Sequence, residues 1–266
     1  MISSTSLRLF ILYVVLSSVS YCRGQSLSPE WELVWSDEFN DEVINDSIWS
    51  KIPRGTPPWK RYMSSSSSCF SMQNGNLVLR GIVNDFLKND TASYLTGGVY
   101  TKGKDLFFGG RIEVRAKFKS AQGAWPAIWM VAEHMNWPAG GEIDIMEHLN
   151  HEDVVHQTVH SYYTYTLKKY KPLQGRIYKI NPDDYNVYVV EIYRDSLCFY
   201  VNGEHNFTYP RIETDEKWQF PFNQPYYLML DMQLGGAWAG EVNEMELPAE
   251  MWVDWVRYYR NLKTVD

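Results

Sequence analysis

Polar and apolar residues alternate along much of the chain. Between Arg111 and Phe118 the residues Ile112, Val114, Ala116 and Phe118 share one face, while four charged residues occupy the other. That period of two is the pattern of a half-buried antiparallel strand. Residues 185–201 hold two more such runs, NVYVVEIYR and LCFYV, joined through Asp195 and Ser196, and Asn202-Gly203 then gives a tight hairpin turn. Further strands are predicted over 31–36, 77–83, 97–102, 125–131, 141–148, 154–162, 226–234 and 251–260. No stretch holds a helical period over three turns. Many short strands punctuated by Gly, Asn, Asp and Pro predict an all-β fold of two packed antiparallel sheets. The serine run from Ser64 to Ser68 is too short for a linker, and no internal repeat is present, so residues 25–266 read as one domain.

The N-terminus departs from this pattern. Arg8 is followed by an unbroken apolar run from Leu9 to Leu16 and then by mostly small or polar residues to Gly24. This reads as a secretory signal peptide over residues 1–24, too short to span a bilayer, and it predicts a secreted location. Cys22 leaves a lipid anchor open, although Tyr21 before it is bulkier than that chemistry usually accepts. Removing the segment takes away Arg8 and Arg23 and no acid, so the net charge goes from −7 to −9. An acidic chain is a poor match for nucleic acid or an anionic membrane surface, and no later segment is apolar enough to cross a bilayer. Two cysteines remain, Cys69 and Cys198, too few for a disulfide framework and without metal-ligand spacing; pairing and free thiols both stay open. The sequons at Asn45, Asn89 and Asn206 matter only in a host that glycosylates secreted proteins.

Composition adds one pointer to chemistry. The chain has 11 Trp and 19 Tyr. Flat rings with a polar edge fill cores, but they also suit a sugar, which offers C–H faces and hydroxyl rims. A carboxyl cluster sharpens this. In Gly141-Glu142-Ile143-Asp144-Ile145-Met146-Glu147-His148, a flat strand would place Glu142, Asp144 and Met146 on one face and turn Glu147 away. A β-bulge near Ile145-Met146 would return Glu147 to the side of Glu142 and Asp144, with Met146 filling the bulge. Three carboxyls that close cannot all ionise; one can serve as nucleophile while another stays protonated as an acid, the division of labour that glycoside hydrolysis needs. From the residues alone, a solvated acidic face or a calcium site is the competing reading.

The surrounding segments resemble glycoside hydrolase family 16, in its laminarinase-like (endo-β-1,3-glucanase) branch. The pieces are WSDEF at 35–39, NGNLVLR at 74–80, FGGRIEVRAKF at 108–118, GAWPAIWM at 123–130, GEIDIMEH at 141–148, GGAWAG at 235–240 and VDWVRYY at 253–259. The resemblance implies a β-jelly roll with a cleft across its concave sheet, and a secreted, endo-acting, retaining β-glycanase that needs no cofactor for catalysis. By position it implies Glu142 as nucleophile, Glu147 as general acid/base and Asp144 between them tuning both. It also implies a structural calcium on the far side of the sandwich, through backbone carbonyls near the first strand and an aspartate in the last; the matching positions are Glu38, Gly75 and Asp254.

The remaining candidates are substrate contacts. Trp125 and Trp129 are four residues apart on one strand and so share a face. Trp137 and Trp238 sit in turn-like stretches beside Pro and Gly, where an exposed ring is best explained by a ligand. His148 and His160 could bond the carboxyls or a sugar hydroxyl, and Gln233 shares a face with Asp231. Laminarinase-like enzymes carry a polar trio between their first strands; here Pro57-Pro58-Trp59-Lys60-Arg61-Tyr62-Met63 replaces it, with Trp59 and Arg61 as the residues that could rebuild that subsite. The substrate is therefore expected to be a β-1,3- or mixed-linkage β-glucan, with galactans or the poly-lactosamine of mucin O-glycans as the alternative. The protein is expected to work as a monomer on a polysaccharide or glycan. A non-catalytic jelly-roll lectin would have no need of the carboxyl trio, and a serine esterase would need a Gly-x-Ser-x-Gly elbow that the chain lacks.

Overall fold

A computed structural model describes residues 31–263. The leader-like segment and Cys22 lie outside the described residues. In chain order the strands are β1 Trp31–Asp37, β2 Ser50–Lys51, β3 Phe70–Met72, β4 Leu77–Val83, β5 Tyr94–Thr96 and β6 Gly98–Tyr100. They continue with β7 Gly110–Lys119, β8 Ala124–Ala132, β9 Glu142–Glu147, β10 Val154–His160 and β11 Gly175–Lys179. The last five are β12 Asn186–Ile192, β13 Ser196–Val201, β14 Glu204–Pro210, β15 Tyr226–Leu234 and β16 Ala249–Asn261. They form two antiparallel sheets, one of nine strands and one of seven, stacked as a jelly-roll sandwich. The nine-stranded sheet runs β14-β13-β12-β7-β16-β4-β3, with β1 on β16 and β5 on β4; the seven-stranded sheet runs β11-β10-β9-β8-β15-β6-β2.

Alternation decides which face of each strand enters the sandwich. Ile112, Val114, Ala116 and Phe118 of β7 are buried, as the pattern predicted, and so are Leu228, Leu230, Met232 and Leu234 of β15. With Ile128 and Met130 of β8 and Ile143, Ile145 and Met146 of β9 they belong to one core between the sheets. The same alternation turns Trp125, Ala127 and Trp129 of β8, and Asp231 and Gln233 of β15, to the outer face of the seven-stranded sheet. A second, small cluster of Ile52, Met63, Ala127, Trp129 and Met229 packs there. The predicted hairpin at Asn202-Gly203 joins β13 to β14. The short strands β2, β3, β5 and β11 carried no pattern long enough to read.

Cys69, just before β3, and Cys198, on β13, are free thiols near opposite edges of the nine-stranded sheet. Five strand spacings separate them, about 24 Å, far beyond disulfide reach. The proposed calcium positions also lie on this sheet. Asp254 stands at a register shift between Val253 and Trp255, where β16 crosses β7, and its carboxylate is paired with Arg115. Arg257 holds the Glu38 carboxylate through Nε and Nη2 at 2.9 and 2.8 Å, and that hydrogen bonding keeps Glu38 below its usual pKa. Gly75 occupies a left-handed turn position at φ +71°. Calcium requires several oxygen ligands, and a cation here would have to draw Asp254 away from a guanidinium. Of the three positions only Asp254 is called on for its side chain, and as arranged its carboxylate is committed to Arg115. Treatment with EDTA is therefore expected to leave the melting temperature unchanged; a fall of several degrees would show that an ion is bound.

Candidate active site

The carboxyl cluster is built by one extra residue in β9. Along β8, Ala127 and Trp129 pair with Glu147 and Asp144, so three residues on β8 face four on β9. Along β10, His156 pairs with Glu147 and Thr158 with Asp144, the same one-residue excess. The bulge falls at Ile145-Met146, where it was expected. Both side chains go into the core, fully buried, and Glu147 emerges on the face that carries Glu142 and Asp144. Glu142, Asp144 and Glu147 then line one cleft of about 500 Å³ with Trp125, Trp129, Trp137, Trp59, Tyr165, Tyr227 and Gln233 among its walls.

Neighbouring groups fix each carboxyl. Trp125 Nε1 donates to Glu147 Oε1 at 3.0 Å. His160 Nε2 lies 3.5 Å from Asp144 Oδ2 and 3.9 Å from Glu142 Oε1. Glu142, Asp144 and His160 offer ligand atoms within 4.8 Å of one another, the group among the described residues able to hold a metal ion. Burial pushes Glu142 up to about 7, against a hydrogen bond from Trp137 that lowers it. Glu142 nevertheless keeps 16% of its side chain exposed, so it is reachable from the cleft. Burial, then the charge of Glu142, pushes Glu147 up to about 8, with Trp125 pulling down and Asp231 adding a push upward. Asp144 is driven well above its usual range by burial and by both glutamates. Burial lowers His160 to about 4, with Lys168 adding to the shift, so the imidazole is neutral at working pH. The three carboxyls titrate as a unit, and protons are shared among them.

The aromatic candidates surround this cluster. Trp129 lies under the cleft with its Nε1 donating to Asp231 Oδ2 at 2.9 Å, and Trp59 meets it edge-on at 4.8 Å. Trp238 is 44% exposed and stands edge-on to Trp125 at 5.1 Å. Trp137, also 44% exposed, meets Tyr165 at 4.4 Å. Gln233 is buried in the cleft wall. Arg61 lies apart, in a neighbouring hollow with Tyr94, Gly235 and Gly236, and its guanidinium covers the Tyr62 ring at 4.5 Å. His148 points the other way, stacked on Phe118 at 4.8 Å in the core. Tyr165, Tyr227 and Asp231 carry no signal in the sequence that marks them as site residues. Tyr165 arrives on a short π-helical turn, Tyr162–Thr166, that no periodicity announces. Asp231 was seen only as a neighbour of Gln233, because nothing in the sequence shows that it lies buried behind the cleft wall.

The sequence profile described as "Glycosyl hydrolases family 16" matches residues 63–257. Keratan-sulfate endo-1,4-beta-galactosidase of Sphingobacterium multivorum is 39% identical over 238 residues, covering 88% of this chain but 56% of that protein. The chain thus spans little more than half of that relative. Beta-glucanase of Rhodothermus marinus is 32% identical over 251 residues, covering 88% of this chain and 86% of that one. The X-ray structure of the laminarinase from Rhodothermus marinus superposes with a TM-score of 0.79 at 29% identity, over 89% of this chain and all of that one (100%).

The raised carboxyls have a thermodynamic signature that does not depend on their role. A carboxyl whose folded pKa lies above its unfolded value is protonated in both states at low pH, and the folded state loses stability as pH rises through the folded pKa. The melting temperature should therefore fall between about pH 4, where unfolded carboxyls titrate, and pH 8, near the raised value of Glu147. Asp144→Asn removes one such group. It should melt a few degrees above the parent at pH 8 and level with it at pH 4; an equal difference at both pH values would contradict the buried-carboxyl reading.

Proposed function

Because the chain belongs to glycosyl hydrolases family 16, we propose that it cleaves internal β-glycosidic bonds of a polysaccharide or glycan by double displacement with retention. The observation that carries this reading is the bulge that brings Glu142, Asp144 and Glu147 onto one face beneath an aromatic cleft. In the first step the Glu142 carboxylate attacks the anomeric carbon as the glycosidic C–O bond breaks, and Glu147 gives its proton to the leaving oxygen. In the second, Glu147 takes a proton from water, whose oxygen attacks the anomeric carbon and releases Glu142. Asp144, crowded against both glutamates, holds a proton while Glu142 is ionised and can share it as charge on Glu142 is consumed. Neutral His160 provides a polar neighbour for Asp144 without adding positive charge.

The pH dependence follows from these roles. Activity rises with pH as Glu142, shifted to about 7, ionises, and falls as Glu147, shifted to about 8, loses its proton. A narrow bell between those limits is expected. Glu142→Gln and Glu147→Gln should each cost about 10³-fold or more in kcat while the fold survives. Near-normal turnover by either folded variant would remove the assignment.

For the substrate, our first reading is β-1,3- or mixed-linkage β-glucan. It is supported by similarity to the Rhodothermus β-glucanase along most of both chains. The second reading is a galactose-containing chain, a galactan or poly-lactosamine, and two observations favour it. One is the higher identity to the keratan-sulfate endo-β-galactosidase. The other is the Pro57-Pro58-Trp59 wall, which closes one side of the cleft with apolar groups in the segment where laminarinase-like enzymes carry a polar trio. Differences of about 1–3 kcal/mol at such subsites are enough to change preference. Polysaccharides of either kind lie outside cells, in keeping with secretion through the N-terminal segment. Incubation with laminarin, lichenan, agarose-type galactan and mucin O-glycans, followed by sizing of the products, tests both readings. Short products from laminarin or lichenan support the first; cleavage confined to galactose-containing chains replaces it with the second.

A further inference from the structure

Behind the cleft wall lies a fourth carboxyl that the proposed chemistry does not use. Asp231 is fully buried, at 0% exposure. It stands in one row across four strands: β6 Gly98, β15 Asp231, β8 Ala127 and β9 Glu147 are successive cross-strand partners. Its neighbours are small for a reason, since a Cβ on Gly98 would come within 2.8 Å of the Asp231 Cβ. Both carboxylate oxygens are engaged. Trp129 Nε1 donates to Oδ2 at 2.9 Å, and Gln233 Nε2 donates to Oδ1 at 2.8 Å.

Burial raises Asp231 to about 7; above that pH its carboxylate only accepts hydrogen bonds, so the Gln233 amide must turn its NH2 toward Asp231, because the opposite flip would bring two acceptor oxygens together. The amide carbonyl is then left without a partner. Gln233 is 3% exposed, and its Oε1 is buried with no hydrogen-bond donor among the described residues. Gln233 lines the cleft beside Glu142, Asp144 and Glu147, so a donor on a bound ligand is what can satisfy it.

We propose that Asp231 is a positioning residue that locks the Gln233 amide with its carbonyl oxygen toward the cleft, making that point of the cleft an acceptor for a hydroxyl or N-acetyl N–H of the bound glycan. The glycan part of this assignment rests on the proposed hydrolysis; the locking of the amide does not. Sugars that present an ether or ester oxygen at that point are refused, because two acceptors would face each other.

Asp231→Asn tests the lock with almost no change of shape. Its Oδ1 must stay on the Trp129 N–H, so its NH2 faces Gln233, and the glutamine amide has to turn over. In nitrogen-edited NMR of the full chain without ligand at pH 8, the Gln233 side-chain NH2 pair, assigned by its absence in Gln233→Met, should shift on Asp231→Asn while the Trp129 indole N–H stays in place. A Gln233 pair that does not move overturns the proposal. The kinetic arm is a double-mutant cycle with whichever of laminarin and poly-lactosamine is cleaved. Asp231→Asn and Gln233→Met should each lower kcat/KM by about tenfold, and the double variant by no more than either alone. Additive losses would mean that Asp231 acts by some route other than Gln233. Failure of every glycan to be cleaved would defeat the hydrolysis reading and leave the NMR result to decide the lock.

Discussion

Three carboxyls share a small apolar-walled space because one strand is a residue too long for its neighbours. The excess at Ile145-Met146 is registered on both sides, against β8 and against β10, so it cannot slide out by adjusting one ladder alone. Its two side chains enter the core, where burial of a large aliphatic group contributes about 1.5–3 kcal/mol. That burial offsets the electrostatic strain of holding Glu142, Asp144 and Glu147 together. Burial in that space raises all three pKa values, with neighbouring negative charge adding to it at Asp144 and Glu147, and thereby divides roles among groups of similar intrinsic acidity. The rest of the fold is a support for that arrangement: a nine-stranded sheet packs against one side of the seven-stranded sheet and leaves its other side for the cleft.

The cleft face is correspondingly layered. Next to the carboxyls lie rings whose N–H groups are committed to acids, Trp125 to Glu147 and Trp129 to Asp231. Outside them stand Trp59 and Trp238, which meet neighbouring rings edge-on, and Trp137, which meets Tyr165 edge-on and also hydrogen-bonds Glu142. The inner rings are fixed by these hydrogen bonds as well as by packing. The outer ones are carried by the segments at the ends of the strands.

Much of this was legible in the sequence, and the limits were physical. Strands with a long alternating run, such as β7 and β15, were read almost to their ends because alternation directly encodes which face is buried. The bulge was legible because a flat strand would have put Glu147 on the wrong face. Pairwise placement across strands was not legible. That His160 would stand 3.5 Å from Asp144 while His148 stacked in the core depends on register, which a single strand does not contain. Arg61 and Asp254 illustrate the same point. Their partners, Tyr62 and Arg115, fix whether a charged side chain is free for a ligand, and Asp254 meets Arg115 only across the β16–β7 ladder.

The Pro57–Trp59 wall is attached to the body of the molecule differently from the carboxyls. It is a short 3-10 turn, Pro58–Lys60, that contributes no strand to either sheet and reaches the cleft chiefly by laying Trp59 on Trp129. A segment joined in that way can be lengthened, shortened or exchanged without disturbing the ladders around β9. Diversification of such a scaffold, by natural variation or by loop grafting, can therefore explore new polymers at the wall while the reacting groups stay in register, whereas a single insertion or deletion inside β9 would abolish the chemistry for every polymer at once.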